Sequence, residues 1–388
     1  MNSKRGQRLL ELAVIFFWAS EYCHAPYFTP YLSSLEIAAT LSGIIVACYG
    51  FTQMVLRIPL GILTDATGAY KTVIVAGLVL TTVSSLGLYL TTNTALILLC
   101  RVLAGAASST WIATTVVYML YFPPEQSVTA TARLNALNNG GKLLAFILGG
   151  IAAAWLGYRV TLFMSFAAGL VGLCFALLTE KAVIRREPLS LHKLGGILFR
   201  GTVLIPSLLM AVQQMVMQAT VFSFTSTIAA GLGAATWMLS LLSIVVTLVQ
   251  IPAVKLIASP RVAGAAPGRV VAGGFFLLGG FLLILGLAPN VWLILLGQVA
   301  VAFGSALLNS IVLAECVRGV PPGERSTVVG VYQAVYGIGM TAGPMWMGWL
   351  LDRAGRAVSC GLFAGFVCLT GLLVLLCWKK QEWKCMQR

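Results

Sequence analysis

Glu21 and His24 are ionisable side chains inside the first long apolar stretch of the chain, in the run Glu21-Tyr-Cys-His24-Ala-Pro-Tyr27. The spacing of Glu21, His24 and Tyr27 at i, i+3 and i+6 predicts a polar stripe along one side of a helix. A carboxylate in a low-dielectric cavity suits a group that binds and releases a proton. We therefore predict that Glu21 and His24 handle protons and that Tyr27 contacts a ligand. The alternative is a static ion pair of Glu21 with Lys142 or Arg101.

Lys142 and Arg101 are the cations that could interact with that carboxylate. Lys142 follows Asn138-Asn-Gly-Gly and lies about ten residues from Arg133, well inside its apolar stretch at ~1.5 Å per residue. It could pair with Glu21, attract an anionic ligand, titrate as a deprotonated amine, or have a purely structural role. Arg101 lies about five residues from the start of its stretch. It could therefore reach either a central cavity or the outer membrane interface.

Further polar and aromatic side chains in the apolar stretches form a second set of candidates. Gln214 and Gln218 are four residues apart and share a helix face, as do Tyr332 and Tyr336. Amides at such positions either bind a ligand or hydrogen-bond between helices. Trp111 suits an adaptable apolar cavity, although such residues more often just pack. The predicted binding residues are Tyr27, Arg101, Trp111, Asn138, Lys142, Gln214, Gln218, Tyr332 and Tyr336.

No grouping typical of an enzyme accompanies these residues. The sequence contains no Walker motif, no nucleophile and base pairing, and no metal-ligand spacing. Its nine cysteines are scattered singly, which indicates neither a metal site nor a disulfide framework. We therefore expect no catalysis, no metal and no bound cofactor.

The composition places these residues in a membrane. Of the 388 residues, 59% are hydrophobic and only 9% are charged, and the mean hydropathy is +0.94. So few charges do not cover a soluble globular surface. The net charge of +14 could suggest nucleic acid, but no basic water-facing domain exists to bind it. We expect membrane lipid and no nucleic acid as partners, and no cleavable signal peptide, since Glu11 and Glu21 interrupt the first apolar stretch.

Apolar windows separated by polar breaks predict an all-α membrane protein with twelve transmembrane helices. Most connections are very short, so consecutive helices are expected to be antiparallel neighbours. The predicted spans are Leu9 to Leu32, Ser42 to Thr64, Val73 to Thr91, Leu96 to Leu120, Ala132 to Leu156, Val160 to Thr179, Val203 to Ala229, Thr236 to Ala258, Val270 to Ala288, Val291 to Cys316, Thr327 to Leu351 and Ser359 to Trp378.

One longer, basic connection separates the spans into two groups of six. It predicts a cytoplasmic linker, 180–202, between an N-terminal six-helix bundle, 1–179, and a C-terminal bundle with a short tail, 203–388. With the N-terminus inside, nineteen of the 25 Lys and Arg residues lie in inner segments, three in outer segments and three within spans. This bias predicts a multi-pass protein of the plasma (inner) membrane with both termini cytoplasmic.

The two halves of the sequence resemble each other. Residues 96–105 are similar to 293–302, Ile58-Pro59 recurs as Ile251-Pro252, and residues 141–150 are similar to 339–348, at offsets of 197, 193 and 198. Each match is weak alone because apolar strings match by chance. Three matches at a nearly constant offset indicate a duplicated six-helix unit with pseudo-symmetry.

A short charged turn follows the second predicted span. Gly61 and Gly68 allow close helix contact or a positive φ, and Asp65 could cap the N-terminus of a neighbouring helix. Lys71 is expected to hold the turn in water by its charge. The turn is therefore predicted to be a tight hairpin at the membrane surface.

Arg57 lies one turn before Gly61, at the start of this segment. Its long side chain is expected to snorkel to the cytoplasmic surface. The alternative is a salt bridge with Glu315 or Glu324.

Together these features resemble the major facilitator superfamily over essentially the whole chain. The family signature between its second and third helices is Gly-x-Leu-Ala-Asp-Arg-x-Gly-Arg-Lys/Arg. Gly61, Leu63, Asp65 and Gly68 match it, whereas its basic positions are Ala66, Ala69 and Tyr70, with Lys71 displaced by one. The family's fourth-helix pattern, Arg-x-x-x-Gly, is met by Arg101 and Gly105.

A second signature, Gly-x-x-x-Gly-Pro-x-x-Gly-Gly, is typical of the drug:proton antiporter branch. In the fifth helix it survives as Gly141, Gly149 and Gly150, with Ala145 and Phe146 in place of Gly-Pro. Its better copy lies in the eleventh helix, at Gly339, Gly343, Pro344 and Gly348. The chain therefore resembles that branch most in character.

The resemblance implies alternating access, in which two bundles rock about a central site. Asp65 would then act as a latch at the N-terminus of the eleventh helix, near Ser326 and Thr327, or would recruit Arg133. The residues predicted to gate the protein are Arg57, Gly61, Asp65, Gly68, Lys71, Arg133, Gly339, Gly343 and Pro344.

The leading hypothesis is a monomeric secondary active transporter that exports small amphipathic molecules, with a proton gradient as its energy source and Glu21 as the protonation site. A second hypothesis is the transport of an anionic metabolite by means of Lys142 and Arg101. A third, from another class, is a transporter-like membrane sensor.

Overall fold

The computed structural model describes residues 4–123, 126–180, 196, 199–257, 266–320 and 325–379. Every regular element among these residues is a helix, as the apolar 20-residue runs predict. The predicted linker, 180–202, and the tail after residue 379 lie mostly outside the described residues. The helices belong to two compact units, the first formed by Met1–Leu35 and Cys48–Leu189, the second by Glu36–Ala47 and Ser190–Arg388.

The first unit is built on a tight helical core. Helix α1 packs against α7 and α8, and α4 packs against α5 and α8. Leu10, Phe17, Leu78 and Tyr118 lie in the buried cluster at its centre. Its helices are α1 (Lys4–Tyr22), α2 (Ala25–Ser34), α3 (Ala39–Thr67, whose first residues belong to the second unit), α4 (Tyr70–Leu90), α5 (Thr94–Ser109), α6 (Trp111–Met119), α7 (Ser127–Leu156) and α8 (Arg159–Leu178).

The second unit contains the rest of the helices. Its elements are α9 (Gly201–Ala219), a π-helical turn (Thr220–Phe224), α10 (Thr225–Gly231), α11 (Thr236–Ile257), α12 (Pro267–Leu287), α13 (Val291–Val317) and α14 (Arg325–Lys379). Helix α9 packs against α13 and α14, while α12 contacts both α13 and α14, and α11 contacts α13.

Ten helical stretches in the described part of the chain are long and apolar enough to span a membrane. Two differences separate these ten stretches from the twelve predicted spans. One stretch, Thr327–Cys377, contains two predicted spans joined at Gly355, whose φ of +70° breaks the helix. The first predicted span consists of α1 and α2, which are separated at Cys23 and His24 and are each too short or too charged to count alone.

Large apolar side chains cover the outside of the helices. Trp155 is 85% exposed, and Leu90, Leu287 and Leu296 are each more than 60% exposed. A surface so rich in exposed apolar residues is stable in contact with lipid rather than water. The protein is therefore a multi-pass membrane protein.

Glycines of the eleventh predicted span bring two helices of the second unit into backbone contact. A Cβ atom at Gly339 would lie 1.8 Å from the carbonyl oxygen of Ala211 in α9, and one at Gly343 would lie 2.3 Å from that of Met215. Because the two glycines are four residues apart, they share a helix face. The Gly-x-x-x-Gly spacing therefore allows α9 and α14 to pack closely. Small residues at such contacts are typical of associating membrane helices.

We expect Gly339→Ala to destabilise the protein, because its methyl group would press on a backbone atom that no side-chain rotation can move away. Overpacking of this kind costs about 1–3 kcal/mol. The matched control is Gly330→Ala in the same helix, where a Cβ meets nothing within 4 Å. Thermal unfolding in detergent should show a Tm lowered by several degrees for Gly339→Ala alone. Equal Tm values for the two variants would contradict this account of the packing.

Candidate functional site

Glu21 lies in the last turn of α1 and is buried, with 5% of its surface exposed. Its carboxylate accepts a hydrogen bond from the Thr81 hydroxyl of α4. Ser20, the preceding residue, donates to the Ser165 carbonyl of α8 at 2.7 Å. Gly169 allows this arrangement, because a Cβ there would lie 2.6 Å from the Thr82 hydroxyl. The last turn of α1 is thus held between α4 and α8.

His24 connects this carboxylate region to Arg101. Its Nε2 lies 3.5 Å from a terminal nitrogen of Arg101, and its Nδ1 lies 3.0 Å from the Ser165 hydroxyl. A guanidinium only donates hydrogen bonds, so Nε2 accepts and the ring proton lies on Nδ1, which donates to Ser165. His24 is therefore a neutral imidazole in this arrangement. It contacts Arg101 on one side and Ser165 of α8 on the other.

Arg101 is the central cation of this cluster and is 8% exposed. Its guanidinium carbon lies 5.0 Å from the centre of the Phe28 ring and 4.8 Å from that of Tyr49. Arg101 also interacts electrostatically with Glu21. Within the described part of the chain, however, Glu21 forms no ion pair of 4.0 Å or less with either Arg101 or Lys142. The structure therefore does not contain the close static ion pair that the sequence left open.

Lys142 lies half-buried in α7 between two aromatic rings. Its ammonium nitrogen is 4.7 Å from the centre of the Trp18 ring and 4.5 Å from that of Tyr22. Among the described residues it has no hydrogen bond and no ion pair. Cation–π contacts stabilise a cation by ~0.5–2 kcal/mol but leave its charge without a counter-ion. Lys142 is thus a cation that could accept an anionic group.

Two other predicted binding residues accompany Lys142. Trp111 makes an edge contact with Trp18 at 5.1 Å, on the ring that Lys142 also contacts. Asn138 lies one turn before Lys142 on the same face of α7, and its buried Oδ1 has no hydrogen-bond partner in the described chain. Lys142, Trp111 and Asn138 therefore belong to one aromatic and polar group in the first unit.

The predicted polar stripe of Glu21, His24 and Tyr27 is wrong as a single helix face. Helix α1 ends at Tyr22, and His24 precedes α2 with φ −90° and ψ −12°. Tyr27 is buried and stacks on Tyr158 with ring centres 5.7 Å apart. Pro26, at the start of α2, has no backbone N–H to continue a preceding helix, which favours a break at this point.

The predicted binding residues of the second unit lie on two helices, α9 and α14. Gln218 lies near the end of α9 and is buried, while Gln214, one turn earlier, is half-buried. Tyr332 and Tyr336 share a face of α14 and pack edge-on, with ring centres 5.6 Å apart. Gln213, directly before Gln214, is buried and its Oε1 has no partner in the described chain.

The turn after α3 has the geometry that its glycines predict. Gly68 has a φ of +66°, and a Cβ at Gly61 would lie 3.3 Å from Ile112, so both positions favour glycine. Asp65 accepts a hydrogen bond from the Tyr70 hydroxyl. Lys71 donates to the carbonyls of Leu177 and Thr179 at 2.8 and 2.5 Å. Lys71 thus satisfies the C-terminal end of α8 instead of only reaching water.

Arg133 has a different partner from the predicted Asp65. It forms an ion pair of 2.9 Å with Glu11 in α1. Glu11 also accepts hydrogen bonds from Tyr118 at 2.8 Å and from Gln7 at 3.0 Å. The Arg133 guanidinium therefore stabilises a carboxylate that the sequence did not place in any role. The predicted latch between Asp65 and the start of the eleventh helix stays a prediction.

Arg57 does not snorkel as predicted, because its side chain is buried, with only 4% of its surface exposed. Its alternative partner Glu315 forms an ion pair of 2.6 Å with Arg318 instead. Glu324, the other alternative, lies outside the described residues. Arg57 is thus a buried cation in this structure.

Asp352 is a residue that the sequence analysis missed. It lies in α14 and accepts hydrogen bonds from the backbone N–H groups of Ala39 and Thr40, at 3.1 and 2.7 Å, and from the Thr40 hydroxyl at 2.6 Å. These groups are all in the second unit. Asp352 therefore caps the N-terminus of α3. Because it lies more than 300 positions away in sequence, no local sequence pattern predicts this cap.

A family model described as the Major Facilitator Superfamily matches residues 10–262 and 207–383. The chain belongs to this superfamily. Among solved structures, a mutant of the nucleoside transporter NupG is similar at 12% identity with a TM-score of 0.80, covering 96% of this chain and 98% of that chain.

Two further structural relatives of this superfamily member are a POT family transporter in complex with a thioalcohol conjugated peptide and one in complex with 5-aminolevulinic acid. Each has a TM-score of 0.79 and covers 97% of this chain and 96% of that chain, at 12% and 13% identity. A comparison with curated proteins gives no match. At these identities the structural likeness establishes the fold, and the family establishes that this protein is a membrane transporter.

For this superfamily member we expect Asp352→Ala to expose the first backbone amides of α3, because each loses a hydrogen bond to a charged group. Such bonds contribute ~1.5–3 kcal/mol, so exchange at Ala39 and Thr40 should become about tenfold faster or more. Hydrogen–deuterium exchange with mass spectrometry measures this. The amides of Ala95 and Leu96, which Asn93 caps in α5, serve as an internal control. Unchanged exchange at Ala39 and Thr40 would contradict the cap.

Proposed function

We propose that this protein is a secondary active transporter that uses a proton gradient to export small amphipathic molecules, with Glu21 as the protonation site. The observation that carries the proposal is the buried Glu21 carboxylate, which accepts a hydrogen bond from Thr81 and forms no ion pair within the described residues. The protonation state of a carboxylate without a close cation depends on the polarity of its surroundings. Ionisable residues inside membrane helices are functional candidates by default.

The neighbours of Glu21 support a coupling role. Loss or gain of its proton changes the charge that Arg101 experiences, since the two groups interact electrostatically. Arg101 in turn contacts His24, Phe28 and Tyr49. A proton on Glu21 would therefore alter the interactions of α1, α2, α3 and α5 together. Such a link between protonation and several helices is what a proton-driven conformational cycle requires.

The amphipathic substrate is proposed from the aromatic group around Lys142. Trp18, Tyr22 and Trp111 offer flat apolar faces, and Asn138 and Lys142 add polar groups beside them. Ligand sites of this kind are mostly apolar with a few polar groups that fix orientation. As part of the proposal we place both termini in the cytoplasm, at the plasma membrane, on the bias of Lys and Arg. The protein is proposed to act as a monomer.

We expect Glu21→Gln to abolish the stimulation of substrate efflux by a pH gradient, because an amide neither binds nor releases a proton. The assay uses proteoliposomes loaded with a fluorescent dye and an external pH about one unit below the internal pH, which supplies ~1.4 kcal/mol per proton. Efflux by the variant should equal the rate without a gradient.

Glu11→Gln is the matched control for this experiment. Glu11 is the other buried carboxylate of α1, but it forms an ion pair with Arg133 and hydrogen bonds with Tyr118 and Gln7. We expect this variant to keep gradient-driven efflux even if its Tm falls. Gradient-driven efflux that survives in Glu21→Gln, or that is lost equally in both variants, would count against the proposal.

The second candidate function is the transport of an anionic metabolite, and the environment of Lys142 favours it. Its ammonium group has aromatic contacts and no counter-ion among the described residues. An anionic substrate would supply that counter-ion.

If the substrate is an anion, we expect Lys142→Gln to weaken competition by organic anions at least about tenfold, since a charge-assisted hydrogen bond is lost. Lys142→Arg keeps the cation and should retain most of the competition. A panel of organic anions competing with dye binding to the purified protein measures the effect. Identical competition curves for wild type and Lys142→Gln would exclude Lys142 as the anion contact.

A further inference from the structure

Helix α3 carries a polar face that begins at Tyr49 beside Arg101 and continues beyond the site described above. Tyr49, Gln53 and Arg57 follow one another at i, i+4 and i+8 and therefore lie on one side of the helix. All three are buried, with 7%, 7% and 4% of their surfaces exposed. The face extends from the ring that contacts Arg101 toward the Thr67 end of α3, over about 12 Å at ~1.5 Å per residue.

The packing of α3 against α5 fixes the first part of this face. A Cβ at Gly105 would lie 2.4 Å from the Tyr49 carbonyl oxygen, so the two backbones touch there. One turn later Ser108 accepts hydrogen bonds from the Tyr49 hydroxyl at 2.8 Å and from the Gln53 side-chain nitrogen at 3.0 Å. These bonds fix the orientation of the Gln53 amide, so that its nitrogen faces Ser108 and its Oε1 atom faces away from Ser108.

The second part of the face has unsatisfied hydrogen-bonding groups. The Oε1 atom of Gln53 and the Nε atom of Arg57 are both buried without a hydrogen-bond partner in the described part of the chain. Arg57 also has no ion pair there. A guanidinium is always charged, and burial of its Nε–H group without a hydrogen-bond acceptor is unfavourable. A buried acceptor and a buried cation, one helical turn apart, are complementary to a ligand that has an anionic group and a nearby donor.

We propose that Arg57 and Gln53 form a binding site for a small carboxylate that carries a hydroxyl donor. The Nε atom and a terminal nitrogen of a guanidinium present two parallel N–H groups that match the two oxygens of a carboxylate. The Gln53 carbonyl oxygen accepts the hydroxyl hydrogen. This site lies in the first unit, on other residues than Glu21 and Lys142. The site would supply a substrate contact for the second candidate function, transport of an anion. Whether the bound anion is transported rests on that function, whereas binding itself is measured separately.

The test is isothermal titration calorimetry of the purified full-length protein with sodium lactate and with sodium propionate. Propionate has the same chain length and carboxylate but lacks the hydroxyl group. We expect lactate to bind more tightly than propionate by about tenfold, the effect of one satisfied buried hydrogen bond. Arg57→Gln should abolish the binding of both anions, and Arg57→Lys, which keeps a charge but loses the paired N–H geometry, should weaken both about tenfold.

Gln53→Leu separates recognition of the hydroxyl from recognition of the charge. We expect this variant to bind lactate and propionate equally, while its affinity for propionate stays that of the wild type. It keeps the test valid if Arg57→Gln does not fold, as judged by size-exclusion chromatography. Lactate binding is measured at equilibrium without a pH gradient, so the outcome does not depend on proton coupling.

Three results would overturn the proposal. One is the absence of lactate binding by the wild type. Another is lactate binding that survives in Arg57→Gln or keeps its preference over propionate in Gln53→Leu. The third is lactate binding that Lys142→Gln removes and Arg57→Gln does not, which would assign the anion to the aromatic group instead. None of them affects the dye-efflux test of Glu21.

Discussion

The cost of burying a charge among apolar helices governs the arrangement of the first unit. Among its described residues, the buried carboxylates are stabilised in different ways. Glu11 receives a direct ion pair and two hydrogen bonds, whereas Glu21 receives one hydroxyl donor and only a longer-range interaction with a cation. A carboxylate held by a close cation stays ionised. The two carboxylates of a single helix therefore lie in different environments, one in a close ion pair and one without a close cation.

Close backbone packing is what brings these polar groups together. Gly105 joins α5 to α3, Gly169 joins α8 to α4, and a Cβ at Gly141 would lie 2.5 Å from the Ile15 carbonyl of α1. Short side chains at these contacts allow helices to approach until serine and threonine hydroxyls reach their neighbours. The Arg-x-x-x-Gly pattern of α5 shows the principle: Gly105 makes the contact, and Arg101, one turn earlier, is thereby placed beside Tyr49.

The sequence was sufficient for the fold and for part of the site, and the limit is physical. Length and hydropathy predict the spans, and Gly61 and Gly68 predict a tight turn, because both signals are local along the chain. The partners of Arg133 and the cap that Asp352 provides depend on residues far apart in sequence, so no spacing reveals them. The prediction for Arg57 is wrong for a related reason, because a long side chain near a helix end can reach water but tertiary packing decides whether it does.

Ionisable groups are distributed unevenly between the units, and this has a consequence for any proton-driven cycle. In the first unit Glu21, His24 and Arg101 are buried together. Within the described part of the second unit, the buried polar side chains away from the helix ends are neutral, among them Gln213, Gln218 and Gln298. Neutral amides and hydroxyls change their hydrogen bonds at small cost, whereas a change of charge alters energies over longer distances. A change of protonation in the first unit would therefore alter its electrostatics directly, whereas these buried polar groups of the second unit carry no charge that could change.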